Sequence, residues 1–516
     1  MKQLLVGSIA FNNKKKHYLK GMNDYKALKN LFSRQSTLND ISGILSWDMA
    51  TFMPVESRSQ RVSQMKILNE YKQQIFKEIK KHEFFKKIDK QTLSLNDSIN
   101  LDLMKKKYDY YETIPLELIQ KKSLLSIECE GLWRKAREKS DFKIVKDVFS
   151  KLVKCVKDES ELLSQNKGKS KYDCLINKYD RSLDTKKINK LFDDVEIFIK
   201  QNINKIIKVQ PEKKFNFNDK LSESQQFELS KFFMKKLGFN FKKGRVDKSL
   251  HPFCGGATDD IRITTRFSDS DSFSCFDALM HETGHALYEQ GLPKNWLHQP
   301  IGQAGGMSLH ESQSLFIEMQ IIKSLSVSKY LEKIIVKKFS KNKSIWSYDN
   351  IFCHRNFVKP GFIRVDADEV HYPLHIIHRF RLELKIIEEN INVEEIPELW
   401  NHQFKNLLGL DVKNDNDGCL QDIHWFGGDF GYFPTYSIGA LIASQIKYKI
   451  KQEIVDFEEL IENGEFKRII SWIKNKIHIS GNSKKIDNLL KETTGNILST
   501  KHFKKHIKDR YLKRIQ

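Results

Sequence analysis

The chain has 516 residues, 40% hydrophobic and 30% charged, which excludes a disordered polymer and leaves ample material for a buried core. No apolar run approaches the ~20 residues that a membrane-spanning helix needs, so no membrane partner is expected. The net charge of +22 invites a nucleic-acid reading, but only 16 of the 88 basic residues are arginine and no aromatic-interleaved basic motif occurs; a lysine-rich solvated surface, with no specific nucleic-acid partner, is the expectation.

Residues 1–21, with a short apolar segment at 4–11 and no clear cleavage site, read as a leader extension. A single domain is expected over 22–516. Amphipathic periods predict helices over 22–46, 56–82, 97–140, 142–166, 185–208, 222–237, 272–290, 308–341, 371–390, 394–408 and 434–475, with a helical tail from 476. The one strand candidate is Asp260–Phe267, where Ile261, Ile263 and Thr265 alternate with Arg262, Thr264 and Arg266. The fold class is therefore mostly α: one large helical domain around a cleft, with one small β-sheet. Seven cysteines, odd in number and without a C-x-x-C pair, fit free thiols in a reducing compartment, and the protein reads as cytoplasmic.

Lysine is almost never fully buried, so lysine-free windows in so lysine-rich a chain mark interior or site-lining segments. They lie at 30–65, 251–293, 295–322, 360–384 and 414–446. The second contains ALMHETGHALYEQG at 278–291. On a helix, positions i and i+4 share a face, so His281 and His285 can converge on one cation, while Glu282 stands close enough to act on a water without ligating. Ser272 or Ser274 is placed to cap this helix and Gly291 to end it. Catalytic zinc takes three protein ligands and keeps a fourth position open. The third comes from GGMSLHESQSLFIE at 305–318, a second helix with Ser308 as its cap. Glu311 is the choice, with His310 as rival ligand or orienting group, and Glu318 is placed to hold an imidazole N–H.

Seven motifs occur in order: WDMATFMP (47–54), HPF (251–253), DIRITT (260–265), HETGH (281–285), HESQS (310–314), IRVDADEVHY (363–372) and GCLQDIHWFGGDFGYFPTYSIGA (418–440). Together they resemble the carboxypeptidase Taq family of metal-dependent carboxypeptidases, from about residue 22 to near the end. The resemblance implies a helical fold with a deep groove, a homodimer, and removal of single residues from peptide carboxyl termini with zinc or cobalt; two histidines and a carboxylate also accept manganese. By motif, His281, His285 and Glu311 match the metal ligands and Glu282 the catalytic glutamate. His371 stands where the family usually has threonine, which bears on specificity more than on activity.

The chemistry assigns further roles. A cation lowers the pKa of its water from about 15.7 to near 7 and polarises the scissile carbonyl, and Glu282 takes the water proton and delivers it to the departing amine. Tyr432 or His251 is the candidate donor to the tetrahedral oxyanion. A free terminal carboxylate calls for an arginine fork; Arg364 is first choice, and Arg262 can pair with Asp260 and brace the sheet. Asp368 and Glu369 are candidates for holding the ligands or the clamp. Rival readings are an endopeptidase with the same ligands, a noncatalytic basic binding protein, and a chaperone-like role added to peptidase activity.

Overall fold

The computed structural model describes residues 2–249, 252–268, 271–389 and 391–513; no side chain is described over 2–20 or at 55, 166 and 167. Helices dominate, as the periodicity requires, and most of the apolar side chains they bury form one extensive core, with large residues such as Trp346, Trp400, Trp425 and Phe276 fully enclosed. A smaller core lies under the amino-terminal helices around Leu28, Phe32, Ile79 and Met104. The buried Asn100 ties that region to the segment beyond the helix that carries His281 and His285: its Nδ2 donates to Gln299 Oε1 (3.2 Å) and its Oδ1 accepts from Ile301 N (3.1 Å).

The sheet has three strands: β1 (Gly244–Lys248), β2 (Cys254–Ala257) and β3 (Asp260–Thr265), in the order β1-β3-β2. β3 runs parallel to β1 and antiparallel to β2, with Ile263 opposite both Val246 and Cys254. Only β3 shows in the sequence. Its partners are half-exposed segments of five and four residues, too short and too glycine-rich to carry alternation. The long helix Lys2–Thr51 lies directly on β2: a Cβ at Gly43 would sit 2.2 Å from the Gly256 carbonyl oxygen, so glycine is required at this crossing.

Three predicted helices are corrected. The 97–140 segment is two helices, Leu95–Thr113 and Leu116–Lys139, parted at Pro115, which has no N–H to continue the ladder. The 308–341 segment breaks before Ser324, whose hydroxyl caps Leu325–Phe339 by accepting from Val327 N (3.2 Å). The 434–475 segment becomes Pro434–Glu453, Phe457–Glu462 and Lys467–Lys476. Short helices at Lys171–Tyr179 and Tyr348–Arg355, each capped by a serine, were not expected. Among the described residues no helix is long and apolar enough to cross a membrane, and no disulfide joins any of the seven cysteines.

Candidate metal centre and active site

The helix Ser274–Gly291, here the histidine helix, buries Phe276, Leu279, Met280 and Ala286 in the core and packs along β3. That fixes its rotation and leaves His281, Glu282 and His285 together on the other side. Neither predicted serine caps it. Phe273 stands at the N-cap, Ser272 Oγ accepts from Leu221 N (3.0 Å), and Asp271 Oδ1 accepts from Phe273 N (2.8 Å). The second helix, Met307–Leu315, starts from Gly306 in a left-handed conformation (φ 110°), so Ser308 lies inside it rather than at its cap.

Glycine lets these helices approach closely enough to share a site. A Cβ at Gly284 would lie 2.4 Å from the Gln313 carbonyl oxygen, and one at Gly439, on the Pro434–Glu453 helix, 2.8 Å from Glu311 Cγ. The Glu311 helix is thus gripped from both sides, and its carboxylate is held over the histidines. Glu311 Oε2 lies 3.7 Å from His281 Nε2 and 3.4 Å from His285 Nε2, with the three ligand atoms within 4.8 Å of one another. Two imidazoles and one carboxylate on rigid helices fit a divalent cation.

Hydrogen bonds behind the histidines set their tautomers. His281 Nδ1 meets Glu318 Oε2 at 2.9 Å; the carboxylate accepts, so Nδ1 carries a proton, and once the imidazolium loses its other proton the Nε2 lone pair is free for a ligand bond. His285 Nδ1 meets His310 Nδ1 at 2.6 Å, and His310 Nε2 meets Glu289 Oε1 at 2.7 Å. For His285 to offer Nε2, its Nδ1–H must donate to His310, whose own proton then sits on Nε2 and points at Glu289. His310 is therefore an orienting residue at the back of the site. Glu318 sits on a π-helical turn, Phe316–Ile322, that continues the Glu311 helix, and Lys323 Nζ fixes its other oxygen at 2.8 Å.

The electrostatics follow. Burial alone would raise Glu318, but Lys323 and His281 hold its pKa down to about 2. Burial depresses the His281 imidazolium, yet Glu311, Glu318 and Glu282 outweigh it and lift its pKa to about 10. His285 is lowered to about 4, chiefly by burial. Glu311 is pushed up by burial and, on balance, held below its ordinary value by the two histidines. Glu282 differs: burial raises its pKa to about 7, and its carboxylate accepts no hydrogen bond from the described residues. It stands buried beside the His281–His285–Glu311 cluster.

The remaining predicted residues divide. Tyr432 follows Gly431 (φ 86°), whose N–H donates to Glu383 Oε2 (2.9 Å), and its ring stands edge-on to Tyr179. Burial and the Glu311 charge raise the Tyr432 pKa, so its hydroxyl keeps its proton. Arg262 pairs with Asp260 (2.6 Å) and stacks over Trp47 (4.5 Å), bracing β3 against the long helix. Arg364 is 6% exposed; it is held by Asp422 through Nε (2.8 Å) and Nη2 (2.7 Å), and its Nη1 donates to Tyr372 OH (2.9 Å). Neither Asp366 nor Asp368 is its partner. Asp368 shapes the turn instead, accepting from Val370 N, His371 N and His371 Nδ1 (2.7 Å). The histidine that replaces threonine is thus buried in its own turn. Glu369 faces away from the ligands and receives His506 Nε2 (2.8 Å), Arg510 Nη1 (2.8 Å) and Tyr511 OH (3.1 Å) from the last helix. His251 lies outside the described residues.

Sequence reasoning missed Glu289, Lys323 and Asp422. Glu289 lies one turn beyond His285 on the same helix, which periodicity could have flagged. Lys323 closes the lysine-free window at 295–322, so the rule that found the window discarded it.

The carboxypeptidase Taq (M32) metallopeptidase model matches residues 27–511. The chain belongs to that family. Carboxypeptidase 1 of Bacillus subtilis is 31% identical over 494 residues, covering 94% of this chain and 97% of the relative. Thermostable carboxypeptidase 1 of Pyrococcus furiosus is 31% identical, covering 93% and 97%. Among solved structures, Trypanosoma cruzi metallocarboxypeptidase 1 superposes with a TM-score of 0.86 at 31% identity, covering 95% of this chain and all of that one. This M32 chain is a metal-dependent carboxypeptidase, a hydrolase whose fold is shared over 95% of its length with the Trypanosoma cruzi enzyme. The family implies a divalent metal and a peptide substrate, and the His281–His285–Glu311 cluster is the group of donors suited to hold that metal.

Proposed function

We propose that this chain removes single residues from peptides that end in a free carboxylate, with residues 22–516 acting as one catalytic unit, as a cytoplasmic homodimer, and with residues 1–21 as an extension outside it. His281, His285 and Glu311 would hold the cation. Zinc suits this donor set best, and cobalt or manganese is also accepted by it. When bound, the cation acidifies water and polarises the scissile carbonyl. Glu282 takes the proton of the attacking water and returns it to the departing amine. Tyr432, its phenol kept protonated, donates to the developing oxyanion. Arg364 is preorganised by Asp422 and Tyr372 at a fixed position, and the substrate carboxylate would have to reach the edge of its fork that these partners leave. Arg262, braced by Asp260, is proposed to line the same groove beside the sheet.

The observation that carries this reading is the Glu282 carboxylate, buried, without a hydrogen bond from the described residues, and with its pKa raised to about 7 beside three convergent candidate ligand atoms. The test is a mass-spectrometric time course on an unblocked peptide of about ten residues with zinc or cobalt supplied. A ladder losing one residue at a time from the carboxyl end, absent in Glu282→Gln, is expected. Internal cuts would reassign the chain as an endopeptidase.

A further inference from the structure

A cavity of about 610 Å³ opens between the helix Leu95–Thr113 and the turn at Gly305 and Gly306 that starts the Glu311 helix. Among the described residues, four cations line it, Lys106, Lys107, Lys178 and Arg181, and no carboxylate does. Neutral oxygens on its walls hold three of them. Lys106 Nζ donates to Asn177 O (2.9 Å), Lys107 Nζ to Gln303 Oε1 (2.7 Å) and Arg181 Nη2 to Asn482 O (2.6 Å). Lys178 pairs with Glu159 (2.7 Å), but Lys122 claims the same carboxylate (2.6 Å). The acids near Arg181 are committed elsewhere: Asp180, 1% exposed, accepts from Ser182 N (2.9 Å), and Asp102 pairs with Lys90 (2.7 Å).

Lys107 forms no ion pair among the described residues, and an ammonium has three donors, so two remain to be met. Burial lowers its pKa to about 8 with no carboxylate to offset it, so an anion placed here relieves a cost already present. Leu103, Tyr110 and Tyr111 supply apolar wall beside it.

The cavity also touches the catalytic groove. Tyr179 lines it, and the Tyr179 ring stands edge-on to Tyr432 at 5.0 Å. Tyr432 meets Tyr436 at 5.3 Å, and the Arg364 guanidinium lies over Tyr436 at 5.0 Å. With the terminal carboxylate at Arg364 and the scissile carbonyl at Tyr432, the peptide upstream of the cut continues toward Tyr179. Gly306 lies against that residue: a Cβ there would sit 3.3 Å from the Tyr179 carbonyl oxygen. An extended chain advances ~3.3 Å per residue, so about two residues carry it from Tyr432 to the cavity.

We propose that this cavity is a subsite for an acidic residue upstream of the scissile bond: an Asp or Glu carboxylate meets the Lys107 ammonium within the field of Lys106, Lys178 and Arg181, so the enzyme selects peptides that are acidic a few residues before the cut. This rests on the carboxypeptidase reading, because the Arg364 clamp sets the direction of the chain. The excess of cations makes the selection. Glutamine in the same place gains a hydrogen bond without the charge term, and lysine is repelled.

The test is a series of short peptides of neutral sequence with a free carboxyl terminus, in which each of the second to sixth positions from that end is set in turn to Glu, Gln or Lys. Binding is read by fluorescence anisotropy on the full, metal-loaded Glu282→Gln chain, and kcat/KM by mass spectrometry on the metal-loaded wild type. Expected is a position at which Glu binds at least about fivefold more tightly than Gln, and Lys more weakly than Gln, with the Glu advantage shrinking in high salt and falling to within about twofold when Lys107→Met is added. A ratio between two peptides on one protein is untouched by an unfolded fraction, and the kcat/KM series on the wild type needs no variant. Equal binding of Glu and Gln at every position overturns the subsite, as does an advantage that survives both Lys107→Met and Arg181→Met unchanged. A stepwise ladder without a Glu preference strikes the subsite and leaves the carboxypeptidase reading standing. Internal cuts with a Glu preference strike that reading and leave the cavity as an acidic subsite.

Discussion

At the scale of single residues, two titrations carry the mechanism. Glu282 acts as a base only when ionised. Burial holds its pKa near about 7, and the positive charge of a bound cation pulls it down. Activity should therefore fall as pH drops, with the acidic limb of kcat/KM at or below pH 7 and lost in Glu282→Gln, while equilibrium dialysis still finds a metal in that variant. His281 runs the other way. With its pKa lifted to about 10, it is protonated in the metal-free protein at neutral pH, and that proton must leave before Nε2 can ligate. Metal affinity should rise with pH up to roughly 10, with proton release visible when calorimetry is repeated in buffers of different ionisation enthalpy. The same raised pKa stabilises the metal-free fold below about pH 6.5, a contribution lost as pH climbs through 10. A pH-independent metal affinity would mean that the Glu311–Glu318 pair does not hold that proton.

At the scale of elements, the site depends on how closely two helices approach. Gly284 faces the backbone of the Glu311 helix at a distance no side chain tolerates, and a backbone contact cannot rotate away. Gly284→Ala should cost about 1–3 kcal/mol of stability through overpacking, and it should weaken metal binding by pushing Glu311 off the histidines. Thermal unfolding with and without metal checks both effects. A variant with unchanged metal affinity would show that the approach serves packing alone. This closeness is also where sequence reading stops. The convergence of His281, His285 and Glu311 was legible because i and i+4 spacing and motif order are local. The orientation network was less so: Glu289 reaches His310 across 21 residues, a separation that only the packed helices define, and Lys323, five residues from Glu318, was passed over because it closes a lysine-free window. Arg364 shows the same limit: its acidic neighbours in sequence, Asp366 and Asp368, look like partners, whereas the fold brings Asp422 to it. The Pro115 break was available in the sequence and was overridden by the apolar period around it.

At the scale of the whole molecule, the three proposed ligands join the histidine helix to the Glu311 helix and its π-helical continuation, all of which pack into the one large core. A cation that binds this arrangement and not the unfolded chain stabilises the fold by mass action, about 4 kcal/mol at a free concentration near 1,000 times its Kd. Unfolding entropy near 2 cal/mol/K per residue amounts to ~1.1 kcal/mol/K over 516 residues, so metal should raise Tm by roughly 4 °C if the chain melts as one unit. Chelation should reverse the shift, and Glu311→Gln should abolish most of it, because removing the carboxylate leaves two imidazoles and no third ligand. The satellite core under the amino-terminal helices sharpens the outcome. It is joined to the rest partly through Asn100, so calorimetry that resolves two transitions would assign the metal-insensitive one to the region around Leu28, Phe32 and Met104. A single metal-sensitive transition would instead mean that this core and the metal centre unfold together, and that the long helix lying on β2 transmits the stability of the site to the amino-terminal end of the fold.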